Sequence, residues 1–309
     1  MSHDLVTLIL PVHQCEAALE ACLRGALEQD YDPLQVWAVD NGSADHSYDV
    51  LLDFERRYRK RLFVGRLYGT LNPQGQEEHI LDMINPRSTY LQRLVPELVL
   101  APGCVRRSLE LLAGDGALRY VAAHADVLLP DGSVRLLPPA HPGDCVLAGP
   151  DQMGELLVHG RPAGFASLYR ADMFRKIYHE AYVFDHHLDL FHQFVAASMG
   201  EVGYLREPQG WIREPAGRGP LLAAPAMAEL VERYVFIQGM GTIARRIRRP
   251  QVADRLPEAL RRLSGQCLDW AERLHQAGEL AAARPYGFLG LAFGAEPEPG
   301  TLAWLEGQA

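Results

Sequence analysis

Apolar runs of strand length alternate with helical patterns at the start of the chain, and this alternation restricts the possible folds more than any other feature. Residues 6–10 and 36–39 are short β-branched and aliphatic runs, which are typical of strands buried on both faces. Residues 16–28 and 48–58 repeat apolar residues at helical spacing, and residues 62–67 indicate a third strand. Alternating strands and helices predict a mostly parallel sheet that binds ligands at the carboxyl ends of its strands.

Weaker patterns extend this α/β prediction beyond the first three strands. Residues 90–94, 120–129 and 164–169 are candidate strands, and a turn signal follows the second of them. Helical spacing recurs at residues 105–112 and 187–198. We therefore expect a Rossmann-like central sheet flanked by helices.

The last third of the chain has a different, almost entirely helical pattern. Residues 214–220 are rich in Pro and Gly and indicate a linker, so we expect one domain at 1–218 and a helical extension at 219–309. Residues 221–247 predict a helix, and residues 270–283 look like one tetratricopeptide hairpin. Such repeats usually need about three stacked units. The hairpin therefore either docks on the first domain or marks where a longer natural chain was cut, and it is a candidate surface for a protein partner.

Charge and cysteine content restrict the partners and the compartment. A net charge of −9 and a pI near 5.7 oppose nucleic-acid binding, which needs a surplus of Lys and Arg. The five cysteines show no C-x-x-C spacing, and no apolar run reaches the roughly 20 residues of a membrane span, so we expect a cytoplasmic protein. Four arginines either complement a helix carboxyl end or hold the protein peripherally at the inner face of the membrane: Arg245, Arg246, Arg248 and Arg249.

Two segments near the amino terminus carry recognisable motifs. Residues 8–13 form a strand that ends in a Pro-x-His step, and a helix ending near residues 29–31 follows. Residues 39–45 read Val-Asp-Asn-Gly-Ser-Ala-Asp. These segments resemble the opening strand with its Pro-x-Tyr/His step and the Val-Asp-Asp-Gly-Ser-x-Asp motif of glycosyltransferase family 2, whose members use the GT-A fold. The resemblance extends over residues 5–215 and implies a Rossmann-like domain that binds a nucleotide-diphosphate sugar.

The resemblance implies that Asp40 holds the nucleobase and that Pro11, His13, Asn41 and Ser43 line the nucleotide-sugar site. A carboxylate at a strand end accepts hydrogen bonds from a base N–H, and the glycine that follows lets the backbone come close to the ligand. The alternative is that the tetrapeptide beginning at Asp40 is only a capped turn between strand and helix.

A third segment, residues 90–103, resembles the family strand that carries the metal-binding Asp-x-Asp, followed by Pro-Gly. Here Val95 stands at the first aspartate position and Glu97 at the second, with Pro96 between them. The resemblance implies a divalent cation, Mg or Mn, which prefers oxygen ligands. Valine supplies no ligand, so either Glu97 holds the cation with phosphate and water oxygens, or Glu97 is a surface acid beside a rigid proline.

A fourth segment, residues 184–191, resembles the family's Glu-Asp-x-Asp-Leu stretch, which carries the general base of inverting transfer. His186 and His187 occupy the Glu-Asp pair, and Asp189 is retained. A histidine can deprotonate a hydroxyl at neutral pH, so His187 and Asp189 are the candidate catalytic residues. The alternatives are a structural His187 at a helix start, or a metal site in which His192 or His179 approaches His186 and Asp189.

Residues 201–213 continue the resemblance, with Trp211 as a candidate acceptor-stacking residue and Arg213 as a candidate phosphate ligand. The predicted function is transfer of a sugar from a nucleotide donor to a hydroxyl of a glycan, lipid-linked or protein acceptor, with inversion. The first alternative is a transferase-like binding or scaffold protein that has lost turnover. The second is a hydrolase or other metal enzyme built on the His186 and His187 pair.

Overall fold

A computed structural model of the protein describes residues 4–177, 184, 186–214 and 224–294. The chain divides into two compact units. The first comprises Met1–Gly149 and Pro162–Leu221, and the second comprises Pro150–Arg161 and Leu222–Ala309. The domain boundary expected between residues 218 and 219 lies outside the described residues. The second unit is discontinuous, because a short segment of it comes from within the sequence of the first.

Twelve strands are formed by the described residues, and eight of them lie in one sheet. The strands are β1 (Val6–Val12), β2 (Leu34–Asp40), β3 (Leu62–Arg66), β4 (Tyr90–Arg93), β5 (Leu98–Leu100), β6 (Leu118–Ala123), β7 (Asp126–Leu128), β8 (Val134–Arg135), β9 (Cys145–Leu147), β10 (Leu168–Arg170), β11 (Glu201–Leu205) and β12 (Gly210–Arg213). The large sheet has the order β3-β2-β1-β4-β10-β6-β11-β9, and the small sheet has the order β5-β12-β7-β8.

Eleven helices are formed by the same described residues. They are α1 (Glu16–Leu27), α2 (Ser47–Arg57), α3 (Pro73–Met83), α4 (Cys104–Gly114), α5 (Gly149–His159), α6 (Ala171–Ile177), α7 (Leu188–Ser198), α8 (Met227–Arg246), α9 (Pro250–Ala253), α10 (Leu256–Gln276) and α11 (Leu280–Ala292). The expected α/β class with a helical carboxyl-terminal region is confirmed. No helix within these residues is long and apolar enough to cross a bilayer.

The amino-terminal half of the large sheet is parallel, as expected, because helices connect β1, β2, β3 and β4. The first strand extends to Val12 rather than ending at residue 10. Pro11 is tolerated there because the pairing of β1 with β4 ends at Ile9, so the missing N–H of Pro11 removes no bond from that ladder. The core on one face of this sheet contains Leu8, Leu10 and the α1 residue Leu23, all fully buried.

The second half of the sheet departs from the expectation in two places. The candidate strand 120–129 is two strands, β6 and β7, which belong to different sheets and are separated at His124 and Ala125. The candidate strand 164–169 forms only β10, which is antiparallel to both β4 and β6. Because β10 runs in the opposite direction, the loop that precedes it lies at the same sheet edge as the carboxyl ends of β1, β2 and β4.

In the second unit, an arginine of α8 caps the carboxyl end of α5. Arg233 donates from Nη2 to the His159 carbonyl at 2.8 Å and from Nη1 to Gln266 Oε1 at 2.8 Å. Gly160 follows α5 with a φ of +57°, and a Cβ at this position would collide with the Arg233 guanidinium. Only glycine combines this backbone conformation with the close approach of the arginine.

The expected helix 221–247 is α8, which begins at Met227. Later in the sequence, α10 and α11 form an antiparallel hairpin in which Ala271 and Ala283 are buried together. Ser264 Oγ donates to the Gly290 carbonyl at 2.6 Å and joins the two helices further along. The resemblance of this hairpin to a tetratricopeptide unit stays a prediction.

Candidate functional site

The carboxyl ends of β1 and β2 bring the residues expected to line the nucleotide site together. His13 Nδ1 lies 3.1 Å from the Asn41 carbonyl oxygen, and the Gln14 amide donates to Ser43 Oγ at 2.9 Å. The Asn41 amide donates to the Val12 carbonyl at 2.8 Å and extends the pairing of the two strands. The imidazole of His13 is exposed at this edge, whereas Asn41 and Ser43 are buried.

Asp40 is fully buried at the end of β2 and its carboxylate has protein partners on two sides. The Ser43 amide donates to both carboxylate oxygens, at 3.3 and 3.2 Å, and Arg66 Nε lies 3.2 Å from Oδ2. Arg66 comes from the end of β3 and lies over the Tyr48 ring at 4.3 Å. The Asp40 carboxylate is therefore already engaged by a backbone amide and by a guanidinium of this chain.

Asn41 uses both ends of its side-chain amide to hold the loop of residues 67–72, which connects β3 to α3. Its Nδ2 donates to the Leu71 carbonyl at 2.7 Å, and its Oδ1 accepts from the Leu71 amide at 2.9 Å. The same loop passes over Gly42, which has a φ of +73°. The side chain of Asn41 thus fixes the wall beside Asp40, a role that the resemblance did not suggest.

Helix α3 presents polar side chains to the interior, directly below the carboxyl ends of the parallel strands. Gln76 Nε2 donates to the carbonyls of Val12 and Val39, at 3.3 and 2.8 Å. Glu77 has no exposed surface, and its Oε2 lies 3.1 Å from Arg93 Nε. The sequence analysis missed this helix because the residues that it buries are largely polar rather than apolar.

Arg93, the last residue of β4, connects α3 to α7 through two ion pairs. On one side it contacts Glu77, and on the other its Nη1 lies 3.2 and 3.1 Å from the two carboxylate oxygens of Asp189. Burial strengthens the inner pair, because water screens it poorly. The side chain of Asp189 is 41% exposed, so the outer pair faces solvent.

A small pocket opens beside the Asp189 carboxylate, and we refer to it as the Asp189 pocket. Its cavity volume is about 10 Å³, which is about the space of one water molecule. Asp189 lies in the first turn of α7, where an acidic side chain is favourable to the helix dipole. The residues that line the pocket are Arg93, Gly164, Phe165, Ser167, Tyr169, Asp189 and Gln193.

Glu97 lies between β4 and β5, and its backbone carbonyl accepts from the Arg213 amide at 2.8 Å. Its carboxylate is near Cys15, at the start of α1. Burial raises the pKa of the Cys15 thiol to about 11, and the charge of Glu97 adds a smaller increase. Glu97 is therefore close to the start of α1.

The described side chains around Glu97 do not by themselves form a site for the expected divalent cation. Val95 supplies no ligand, and residues 4–177, 184, 186–214 and 224–294 contain no group of three His, Cys, Asp or Glu side chains that could hold a metal. A cation held by protein side chains alone does not fit this donor set, since Mg²⁺ and Mn²⁺ need several oxygen ligands.

Trp211 and Arg213 lie on β12 in the small sheet. Trp211 is paired with Val99 of β5 and with Asp126 of β7, and Arg213 Nη1 donates to the Ala17 carbonyl at 3.4 Å. Arg213 therefore reaches the start of α1, on the same side as Glu97. The ring of Trp211 is partly buried.

The described histidines near α7, His186, His187 and His192, have different surroundings. His187, at the amino end of α7, is only 8% exposed, and His186 is exposed. His192 is buried between Phe174 and Phe191, and burial, with a smaller contribution from the Arg93 charge, holds its pKa well below the usual value. His179 lies outside the described residues.

A buried pair that the sequence analysis did not single out lies where β6 gives way to β7. His124 Nε2 is 3.2 Å from Asp126 Oδ1, and the Leu137 amide donates to the same oxygen at 2.8 Å. The His-x-Asp spacing at the break in the long apolar run was the signal available in the sequence. The pair fixes the point at which the chain passes from the large sheet to the small one.

Comparisons with known proteins agree with this architecture. The sequence model of Glycosyl transferase family 2 matches residues 7–68, which span β1 to β3. TarS from S. aureus has a TM-score of 0.62 at 11% identity, with 92% of this chain aligned to 53% of that one. The chain thus spans about half the length of TarS. No curated protein sequence matches the chain.

Two further solved structures are similar over almost the whole chain. TarS residues 1–349 in complex with UDP-GlcNAc gives a TM-score of 0.59 at 10% identity, covering 93% of this chain and 91% of that one. The mannosyltransferase PcManGT from Pyrobaculum calidifontis, in complex with GDP-Man and Mn²⁺, gives 0.55 at 16% identity, covering 93% and 83%. The chain therefore has the GT-A fold of nucleotide-sugar transferases, with a family 2 sequence pattern across its first three strands.

Proposed function

We propose that the protein is a glycosyltransferase that moves a sugar from a nucleotide-diphosphate donor to an acceptor hydroxyl with inversion. The observation that carries the proposal is the position of Asp40. It lies at the carboxyl end of β2, inside the segment that matches family 2, with the exposed His13 beside it. Parallel α/β sheets bind ligands at this edge. The base of the donor would contact Asp40 once Arg66 has moved aside.

The acceptor end of the site lies at the Asp189 pocket. In a one-step displacement the acceptor oxygen attacks the anomeric carbon, its proton passes to a base, and the nucleoside diphosphate leaves. Asp189 is the better candidate for the base, because its side chain is 41% exposed whereas His187 is almost completely buried. Arg213 and Arg66 are the cationic side chains that would face the charge of the leaving diphosphate.

A second candidate function is binding without turnover, as a scaffold that holds a nucleotide sugar or a protein partner. It is favoured by one observation, the ion pair in which Arg66 already engages the Asp40 carboxylate. It predicts nucleotide binding without release of product. Turnover therefore separates the two candidates.

Nucleotide binding is tested by thermal shift with UDP, GDP, UDP-GlcNAc and GDP-Man, each with and without Mn²⁺. A ligand at about 100 times its dissociation constant stabilises the protein by roughly 2.7 kcal/mol, which corresponds to several degrees. We expect a shift that Asp40→Asn abolishes and that the exposed control Asp49→Asn retains. If folded Asp40→Asn shifted as much as the wild type, the nucleotide-site assignment would be wrong. A shift that required Mn²⁺ would show that nucleotide binding needs the cation.

Catalysis is tested by following release of the nucleoside diphosphate from the donor that binds. Loss of a general base lowers the rate roughly 10²–10⁴-fold, and we expect this for Asp189→Asn with donor binding unchanged. His187→Gln should change the rate less than Asp189→Asn. Donor binding with no turnover by the wild type for any acceptor would favour the scaffold function.

A further inference from the structure

Exposed arginines are concentrated at the carboxyl end of α8, where the chain leaves the helix. Within the described residues, none of their side chains forms an ion pair or a hydrogen bond. We propose that this surface binds an anionic lipid bilayer and attaches the second unit peripherally to a membrane. The inference goes beyond the proposed transfer reaction and does not depend on the nucleotide site. We call the surface the arginine turn, and its residues are Arg245, Arg246, Ile247, Arg248 and Arg249.

The side chains of the arginine turn do not cap α8, because the backbone does so. The Ile247 amide donates to the Ile243 carbonyl at 2.9 Å. The Arg249 amide donates to the Ala244 carbonyl at 2.8 Å. Cations near a helix carboxyl end gain some energy from the helix dipole, but that gain is screened by salt and is limited to the last turn. Capping therefore does not account for four arginines at this position.

Arg248 ends the helix in a backbone conformation that favours glycine. Its φ is +58°, in the left-handed region. Helices commonly place glycine at such a position because a Cβ there is strained. The Arg248 side chain makes no contact with a charged or polar partner among the described residues that would offset the strain. An arginine at a strained position is expected where its charge acts outside the fold.

The positive charge of the arginine turn is local, although the whole chain is acidic. The net charge is −9, yet no acidic residue occurs between Glu232 and Asp254. Asp254, the nearest acid in the sequence, forms no ion pair with the arginines within the part of the chain that the structure describes. Exposed charges further apart than about 8 Å are largely screened at physiological ionic strength. The turn therefore presents a positive potential that distant carboxylates do not cancel.

The centre of the arginine turn is apolar. Ile247 is 39% exposed and has two arginines on either side of it in the sequence. This combination fits the boundary between lipid head groups and acyl chains. The arginines stay at the level of the phosphates, while the aliphatic side chain enters the apolar layer.

Other anionic partners fit the arginine turn less well. A nucleic acid would use the cations but not the isoleucine, and this chain lacks the surplus of Lys and Arg that nucleic-acid domains carry. A stable protein interface uses roughly 20–30 residues on each side. Five residues on one turn are far fewer, whereas a soft, continuous anionic surface can be bound by a small cationic patch.

The number of arginines sets the expected strength of binding. Each basic residue close to an anionic bilayer increases the partition coefficient about fivefold. Four arginines therefore give an increase of roughly several hundredfold over a neutral bilayer, and the loss of two of them should weaken binding about 25-fold. The increase should shrink as salt shortens the range of the charges.

The test is co-sedimentation of the full chain with vesicles of phosphatidylcholine, alone or with roughly 30% phosphatidylglycerol. We expect binding to the anionic vesicles only, and we expect it to weaken between about 50 and about 500 mM NaCl. The double variant Arg246→Gln with Arg249→Gln should bind about 25-fold more weakly. Ile247→Ser should weaken binding severalfold and keep the salt dependence, because it removes apolar insertion and no charge.

The matched control is the double variant Arg56→Gln with Arg59→Gln, near the carboxyl end of α2 in the first unit. Both arginines are exposed and form no ion pair with the described residues, so this variant makes the same change in net charge at the end of another helix. We expect it to bind the anionic vesicles as the wild type does. Thermal melts followed by circular dichroism establish that each variant is folded.

Three results would overturn the inference: no binding to anionic vesicles at low salt, equal binding to neutral and anionic vesicles, or equal weakening by the two double variants. Binding of inorganic polyphosphate or single-stranded RNA without any binding of vesicles would also reject it, since the turn would then serve a soluble polyanion. The nucleotide thermal shifts test a different surface. The membrane inference and the proposed function can therefore fail separately.

Discussion

Replacing Arg93 with methionine should destabilise the first unit far more than breaking any surface ion pair. Arg93 is the shared partner of Glu77, which is fully buried, and of Asp189, which is partly exposed. Methionine keeps much of the apolar stem of arginine and removes the charge. The variant therefore leaves the Glu77 carboxylate in the interior without the guanidinium beside it.

The magnitude follows from the burial of each partner. Removing one member of a buried pair typically costs about 3–5 kcal/mol, because the other charge stays in a medium that solvates it poorly. A domain of about 150–250 residues loses roughly 2–4 °C of melting temperature per kcal/mol. Arg93→Met should therefore lower the melting temperature by about 6–20 °C. Asp189→Asn breaks only the exposed pair and should cost no more than about 1 kcal/mol.

The assay is urea unfolding followed by circular dichroism, with thermal melts in parallel. Arg106→Met is the matched control, since Arg106 also bridges two carboxylates, Asp30 at 2.9 Å and Glu110 at 3.1 Å, but on the exposed surface. Its expected cost is about 1 kcal/mol or less. Equal losses for Arg93→Met and Arg106→Met would refute the reasoning, because burial of Glu77 would then contribute nothing.

Three further predictions concern other parts of the chain. Gly160→Ala should lower the free energy of unfolding by at least about 2 kcal/mol in urea, because the new Cβ displaces the Arg233 guanidinium that caps α5. The control Gly278→Ala has open space around it and should cost only the strain of positive φ, about 1 kcal/mol. Equal costs for the two variants would contradict this prediction. Asn41→Ala should speed hydrogen exchange of the 67–72 loop, because two hydrogen bonds worth about 1 kcal/mol each are lost; unchanged exchange would exclude the clamp. Burial lowers the pKa of His192, so below pH ~6.5 the unfolded chain binds a proton that the folded chain does not. The free energy of unfolding should therefore decrease as the pH falls below ~6.5, by up to about 1.4 kcal/mol per pH unit. In urea unfolding from pH 5 to 8, His192→Gln should flatten this slope, and His186→Gln, which changes an exposed histidine, should leave it unchanged.

The first three strands were predictable because their residues follow local rules. A strand buried on both faces needs a continuous apolar run, and the residues from Val6 to Leu10 form one. Asp40 and His13 could be placed together because parallel strands end at one sheet edge. Helix α3 could not be predicted in this way, since it buries Gln76 and Glu77, and its hydrogen bonds go to strands that lie far away in the sequence.

The proposed acceptor end of the site could be predicted only in part. Asp189 was selected from its motif, but Arg93 was not, because the two residues are separated by 96 positions and no local rule joins them. The available signal was an arginine at the end of a strand that is otherwise buried, which demands a partner for its charge. The preference for Asp189 over His187 required burial, which the motif does not contain.

Residues 150–161 belong to the second unit but interrupt the sequence of the first, so one cut in the chain cannot separate the two units. Arg255 contacts Glu155 at 2.8 Å, and Arg233 caps the end of α5, so the helices after residue 224 are completed by a segment encoded much earlier. A truncation before α8 would leave that segment without the helices it packs against, and a fusion that carried only the carboxyl-terminal helices would lack the segment. A recombination that kept the helical unit intact would therefore have to carry everything from residue 150 onward, including the part of the first unit at 162–221.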